Sequence, residues 1–342
     1  MIWVLAIAVG FWWLGHWLRA PFAARWLMIA ILYVAVLSAY LVLGQSNAWL
    51  VALGGSLVEW LLLGGAIVLV LIYRRVLAIL RTRARQRAPQ KSGGLFSPGE
   101  VERTARHIVL HEIGGAGQAR LKRARVLVVG AGGLGSAALQ YLAACGVGTI
   151  GVIDDDIVEN SNLQRQVIHT DARIGMAKVF SAQAAMQAQN PQVSVRPYRR
   201  RLTDENARGI FEDYDLILDG TDNFETRYLV NRTCVALGKP LIAAAISQWE
   251  GQISTYHPAS NGPCYQCVFP QAPALGLAPP CAEAGVLGPL PGVLGAMMAA
   301  EAVKELAQAG KSLCGRLMIY DALYGENRVI SLKRDPDCAV CG

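Results

Sequence analysis

The stretch running Arg125-Val-Leu-Val-Val-Gly-Ala-Gly-Gly-Leu-Gly-Ser136 constrains this chain more than any other. Val126 to Val129 read as a buried strand that ends at Gly130, and Gly130, Gly132 and Gly135 fall on the G-x-G-x-x-G spacing that opens a helix behind a strand. Glycine at those positions permits a tight turn and lets backbone N–H groups approach phosphate. Ala137, Ala138 and Ala143 keep the following helix slim enough to lie on a sheet. The next strand, Thr149 to Asp154, ends in a carboxylate placed to bond ribose hydroxyls. A chain with this stretch is built around a nucleotide.

From there the pattern alternates. Helices are expected around Met176 to Ala188, Asp204 to Phe211, Phe224 to Leu237 and Pro291 to Ala309. Strands are expected around Val193 to Tyr198, Leu216 to Asp219, Pro240 to Ile246, Gly251 to Tyr256, Arg316 to Tyr320 and Arg328 to Lys333. That order predicts an α/β fold, a Rossmann-like doubly wound mixed sheet that becomes antiparallel in its C-terminal strands. Ser97 followed by Pro98 predicts a capped helix start, and Arg103 and Arg106 share a face of that helix.

The first 73 residues are of another kind. Apolar residues make up 53% of the chain, too many for an ordinary soluble domain. Met1 to Leu18, Leu27 to Gly44 and Leu50 to Tyr73 are each about long enough to cross a hydrocarbon core of roughly 30 Å as a helix. Three transmembrane helices are therefore expected ahead of the sheet, with Trp12, Trp13, Trp17, Trp26 and Trp49 near their ends. A cleaved signal peptide would want positive charge before the first run, and Met1-Ile-Trp-Val has none.

Seven cations between Arg74 and Lys91 equal the whole formal charge of +7. Arg19, Arg25 and Glu59 add one more, which leaves the rest of the chain at −1. The basic balance thus belongs to a membrane-surface linker at 74–96, and it weighs against a nucleic-acid face on the sheet domain. Basic loops stay inside, so the expectation is a multi-pass protein of the cytoplasmic membrane with its N-terminus outside and residues 97–342 in the cytoplasm. Glu59 falls near the external end of its span, where a solvated carboxylate is the simpler reading.

A lone glycine fingerprint suits a dehydrogenase as well, but four further features favour Mg-ATP. Asp154, Asp155 and Asp156 crowd one strand end, where an acid-rich edge helps to hold Mg²⁺; Asp222 follows the Leu216 to Asp219 strand onto the same sheet edge; Arg165 and Lys178 offer charge to a triphosphate. Cys264-Tyr-Gln-Cys267 and Cys338-Ala-Val-Cys341 each present two thiolates from one turn, and together they close a structural Zn²⁺ site if they meet in space. Cys281 is a candidate nucleophile or sulfur acceptor, with a spare buried cysteine the equal alternative. Cys145, Cys234 and Cys314 read as packing residues.

From about Glu102 to Gly342 these features resemble the HesA/MoeB/ThiF family, the bacterial relatives of ubiquitin-activating enzymes. The resemblance rests on the Gly130 to Gly135 turn, Asp154 to Asp156, Ser161-Asn-Leu-Gln-Arg-Gln166, Lys178, Thr221-Asp-Asn223, Trp249-Glu-Gly-Gln252, Cys281-Ala-Glu-Ala-Gly-Val and both cysteine pairs. It implies ATP-dependent adenylation of the C-terminal glycine of a ubiquitin-like sulfur carrier ending in Gly-Gly, for thiamine or molybdopterin synthesis. It further implies a homodimer.

On that resemblance Asp154 holds the ribose, Gly132 and Gly133 line the adenosine site, and Asn162, Arg165 and Lys178 contact phosphates. Asp222 sits on Mg²⁺ with Asp156 and Asn223 nearby, and Arg106 reaches the partner subunit's site. Cys281 matches a position that takes part in thioester or acyl-disulfide steps in some relatives. The usual Arg-Tyr-x-Arg-Gln of the family stands here as Arg103-Thr-Ala-Arg-His107. A separate sulfur donor is expected, because no rhodanese-like region follows Gly342. The alternatives are an enzyme cyclising tRNA threonylcarbamoyladenosine, which the −1 domain charge and the cysteine site oppose, and a non-catalytic membrane-tethered binding protein.

Overall fold

The computed structural model describes residues 2–18, 20–43, 56–87, 94–273 and 284–342. The chain divides into two compact units, 1–92 and 93–342.

The first unit holds α1 (Ile2–Trp17), α2 (Phe22–Leu43) and α3 (Leu57–Arg87). Trp60 of α3 is buried against Val4, Val36 and Tyr40, and Tyr33 Oη donates to the Trp60 carbonyl at 2.6 Å. Two helices are long and apolar enough to cross a membrane, Ala23–Leu43 and Leu57–Leu77, each of 21 residues and so about 32 Å long. Their apolar side chains are largely exposed, as at Val42 and Leu69, which a core helix of a soluble protein would not permit.

The expectation of three transmembrane helices is corrected here. α1 has 16 residues, about 24 Å at 1.5 Å per residue, short of the roughly 30 Å needed. The loop that would carry Trp49 lies outside the described residues. α3 itself runs on past Tyr73 through the arginines to Arg87, because Arg, Ala, Leu and Gln propagate a helix and no Pro or Gly interrupts it before Pro89. Glu59 is exposed in the first turn of α3. Its carboxylate accepts from the Ser56 N–H at 3.1 Å, while Ser56 Oγ accepts from the Glu59 N–H at 3.3 Å. It is a helix cap.

The second unit begins with α4 (Pro98–Ile108), closed by a Ser97–Glu100 capping box, and α5 (Gly114–Arg123). Eight strands follow: β1 (Arg125–Val129), β2 (Thr149–Ile153), β3 (Ser194–Tyr198), β4 (Leu216–Asp219), β5 (Leu241–Ser247), β6 (Glu250–Tyr256), β7 (Arg316–Asp321) and β8 (Glu326–Ser331). They form one sheet in the order β3-β2-β1-β4-β5-β6-β7-β8. Pairing is parallel from β3 through β5 and antiparallel from β5 through β8. The crossovers carry α6 (Gly133–Ala144), α7 (Lys178–Gln189), α8 (Asp204–Phe211) and α9 (Phe224–Ala236); the short α10 (Tyr265–Val268) and the long α11 (Pro289–Ala307) complete the unit.

Successive residues of a strand face opposite sides, and β1 feeds two cores. Val126 and Val128 join Leu139 and Leu142 of α6 and Leu294 and Met298 of α11; Leu127 and Val129 join Phe211 of α8 and Val230 of α9. With both faces covered, β1 reads as an unbroken apolar run. The order of the strands reverses between β1 and β4, and ligands of such sheets bind at the carboxyl ends where that reversal parts the chain.

Candidate active site

A cavity of about 1100 Å³ opens at that position. Its wall includes Gly130, Gly132 and Gly133 from the turn after β1, Asp154 to Asp156 after β2, and Arg165. Lys178 of α7 and Asp222 and Asn223 after β4 face it as well.

The turn is shaped by its glycines at two points. Gly130 adopts φ 93°, a left-handed conformation that a side chain would strain. A Cβ on Gly135 would run into the Gly130 carbonyl oxygen. Gly135 does not line the cavity; it lets α6 start directly behind the turn, leaving the free N–H groups of that helix facing the cavity.

Asp154 Oδ2 accepts from the Ala131 N–H at 2.7 Å and Oδ1 from the Asp156 N–H at 2.8 Å. Burial raises its pKa above the ordinary aspartate value, and those two amides and the Lys178 charge offset part of the rise. Lys178 is buried, and its Nζ donates to Asp156 Oδ2 at 2.8 Å. That pairing leaves the Asp154 to Asp156 cluster less free carboxylate for a dication than the sequence suggests. Asp222 is exposed and makes no ion pair among the described residues. Arg165 is half-buried, its guanidinium donating to the Ser161 carbonyl at 3.0 Å.

Two expected residues sit off the wall, and a third on it is engaged in capping. Asn162 is buried beside the wall, capping the 3₁₀ turn Asn160–Asn162. Asn223 lies on the wall, but its side chain accepts from the Thr226 N–H at 2.9 Å as the N-cap of α9. Arg106 is exposed on α4 and is not part of this chain's own cavity wall. Its neighbour Arg103 donates to the Gln189 carbonyl at 2.8 Å and docks α4 on α7. Cys281 lies outside the described residues.

Two buried residues were not singled out from the sequence. Arg227, on α9, donates to the carbonyls of Thr221 and Ala244 and lies 3.8 Å from Asp219, which itself accepts from the Thr221 N–H and Oγ1. This buried network sets the loop that presents Asp222. His169 bonds Ala131 and Ser181 inside the turn. Neither carries a motif signature, since an arginine mid-helix reads as surface and a single histidine as core.

The cysteine pairs do converge. Sγ separations are 3.6 Å for Cys264–Cys338, 3.8 Å for Cys264–Cys267 and 3.4 Å for Cys267–Cys341. Tetrahedral bonds of about 2.3 Å place sulfurs about 3.8 Å apart, whereas a disulfide needs about 2.05 Å. The four thiols fit a closed metal site of the kind zinc takes. Asn231, buried on α9, donates to Cys264 Sγ at 3.7 Å and accepts from the Tyr265 N–H at 2.9 Å, orienting the first pair from outside the ligand set.

A model described as the ThiF family matches residues 104–340. A protein of Thermus thermophilus named sulfur carrier protein adenylyltransferase is 52% identical over 247 residues, 71% of this chain and 91% of that one. A SAMP-activating enzyme E1 of Haloferax volcanii is 49% identical over 243 residues, 71% of this chain and 89% of its own length. The bovine adenylyltransferase and sulfurtransferase MOCS3 is 48% identical over 256 residues, 75% of this chain but 56% of its own length. Among solved structures, E. coli MccB with ATP aligns at a TM-score of 0.59 and 25% identity, over 66% of this chain and 69% of that chain.

Proposed function

The chain belongs to the ThiF family and is an adenylyltransferase, and we propose that it activates the C-terminal carboxylate of a ubiquitin-like sulfur carrier ending in Gly-Gly. The observation that carries this reading is the convergence of Asp154, Arg165, Lys178 and Asp222 on the glycine turn at one sheet edge.

In the proposed reaction the carrier's carboxylate oxygen attacks the α-phosphorus of ATP. The new O–P bond forms as the bond from the α-phosphorus to the bridging oxygen breaks, and pyrophosphate leaves with the electron pair. The attacking carboxylate is already ionised, so no proton need move. The protein's work is to align the reactants and offset charge. Asp154 takes the ribose hydroxyls, the N–H groups of Gly132 and Gly133 and the cations Arg165 and Lys178 take phosphate oxygens, and Asp222 holds Mg²⁺ with Asp155. Zinc on the four cysteines supplies a structural cross-link. Arg106, exposed and away from its own cavity, suits a contribution to the partner's site in a homodimer. The carrier's pathway would be thiamine or molybdopterin synthesis.

The test is ATP–pyrophosphate exchange by the full chain with small Gly-Gly carriers. Exchange that depends on a carrier supports the reading; none with any such carrier, alongside turnover stimulated by tRNA, favours the cyclising reaction instead.

We also place the adenylation unit in the cytoplasm on a multi-pass anchor. With α2 and α3 as a hairpin, the basic flanks at Arg25 and at Arg74 onward share one face, as the positive-inside rule asks. An N-terminus outside requires α1 to cross as well. Labelling a cysteine introduced ahead of α1 with a membrane-impermeant reagent distinguishes the two topologies.

A further inference from the structure

Ala131 is the one residue between Gly130 and Gly133 that carries a side chain, and both of its backbone polar groups are held from within the protein. Its N–H donates to Asp154, and its carbonyl lies 3.0 Å from His169 Nε2. A carbonyl only accepts, so Nε2 carries the proton; Nδ1 is then bare and accepts from Ser181 Oγ at 2.9 Å. His169 is buried, which lowers its pKa; the bond to Ala131 works the other way, and the charges of Lys178 and Arg173 add to the lowering. The neutral tautomer is the one this setting keeps.

The carbonyl's direction fixes something else. In a trans peptide the C=O and the following N–H point to opposite sides, and the described residues contain no cis bond. An Ala131 carbonyl turned inward to His169 therefore turns the Gly132 N–H outward, and Gly132 lines the cavity. Gly132 has no Cβ, so sterics alone do not hold this peptide plane in one orientation. The imidazole does.

We propose that His169 is a positioning residue for the nucleotide: its Nε2–H locks the Ala131–Gly132 peptide plane so that the Gly132 N–H donates to a phosphate oxygen of a nucleoside triphosphate. Through Ser181 the same ring ties the turn to α7, the helix whose first residue is Lys178, so two phosphate-facing groups are set by one side chain. The proposal rests on the reading of the cavity as an ATP site.

Equilibrium binding of Mg-ATP to the full chain in detergent micelles tests it without a carrier. His169→Phe removes both bonds, His169→Asn reaches only the Nδ1 position, and His169→Gln places an amide N–H where Nε2 stands. Affinity for ATP is expected to fall about tenfold in the Phe and Asn variants and to return to within about twofold in the Gln variant. Adenosine, lacking phosphates, should bind all four proteins with the same dissociation constant. Unchanged ATP affinity in His169→Phe, equal loss in His169→Gln, or parallel loss of adenosine overturns the proposal. An unaltered chain that binds no ATP overturns the nucleotide reading itself and this proposal with it.

Discussion

Arg227 and Asp219 form a buried pair whose partners are almost all backbone, and each is costly without the other. Arg227→Met leaves a carboxylate only 1% exposed without its cation, so the variant should lose about 3 kcal/mol of stability. The loss is read from denaturant unfolding of the full chain, with the second substitution Asp219→Leu recovering part of it. Asp154 gives a pH prediction. Its pKa is raised by burial, so ATP binding should be complete above that raised value and fall away as the pH drops through it, higher than an ordinary aspartate would allow. A protonated carboxyl no longer accepts from both Ala131 and Asp156, and binding measured against pH should lose this limb in Asp154→Asn. For the fold the sign is opposite: a raised folded pKa withdraws stability as the pH climbs from the unfolded value through the folded one. At this scale the shared position of Asp154, Arg165, Lys178 and Asp222 on one cavity wall was legible, Asp154 and Asp222 because they follow strand ends and Arg165 and Lys178 because they lie on the segment after the acidic triplet. Arg227 and His169 were not, because what they do depends on backbone carbonyls brought close only by the fold. Asn223 was placed in the right loop, but its amide is engaged in capping.

Elements were legible where spacing alone carries the information. β4 matches its expected span of Leu216 to Asp219, and the start of α4 follows from Ser97 and Pro98. α5 was missed, since Gly114-Gly-Ala-Gly117 reads as a loop; its glycines suit close packing instead, a Cβ on Gly117 meeting Ala307 of α11 at 3.4 Å. α3 continues past Tyr73 to Arg87, so the basic segment begins as helix. Two substitutions probe element ends. Gly135→Ala drives a methyl group into the Gly130 carbonyl, so ATP affinity should fall at least about tenfold, measured by equilibrium binding. Ser97→Ala removes the hydroxyl that accepts from the Glu100 N–H and should cost about 1 kcal/mol in the unfolding of the same unit.

At the scale of the molecule, the cysteine site closes a covalent-like loop in the second unit, with Cys264 and Cys338 74 residues apart. Cross-linking a loop of that length is worth about 4 kcal/mol. Removing the metal with a chelator, or replacing Cys338 with Ser, should lower the melting temperature by about 10 °C, and elemental analysis should find one zinc per chain. The two C-x-x-C pairs were the clearest long-range signal in the sequence, because four thiols at that spacing have one common use. The number of membrane spans was overread, since apolarity counts residues whereas a span needs an unbroken helix of sufficient length.

The reversal of strand order between β1 and β4 divides the site between two consecutive lengths of chain. Asp154, Arg165 and Lys178 arrive before β3 ends, and Asp222 with its Arg227 brace arrives after α8. A cut in the connection at 199–203 therefore separates the two sets of nucleotide contacts onto different polypeptides. Neither fragment alone should bind ATP, and co-expression should restore binding through the β1–β4 pairing, making this enzyme a candidate for fragment complementation.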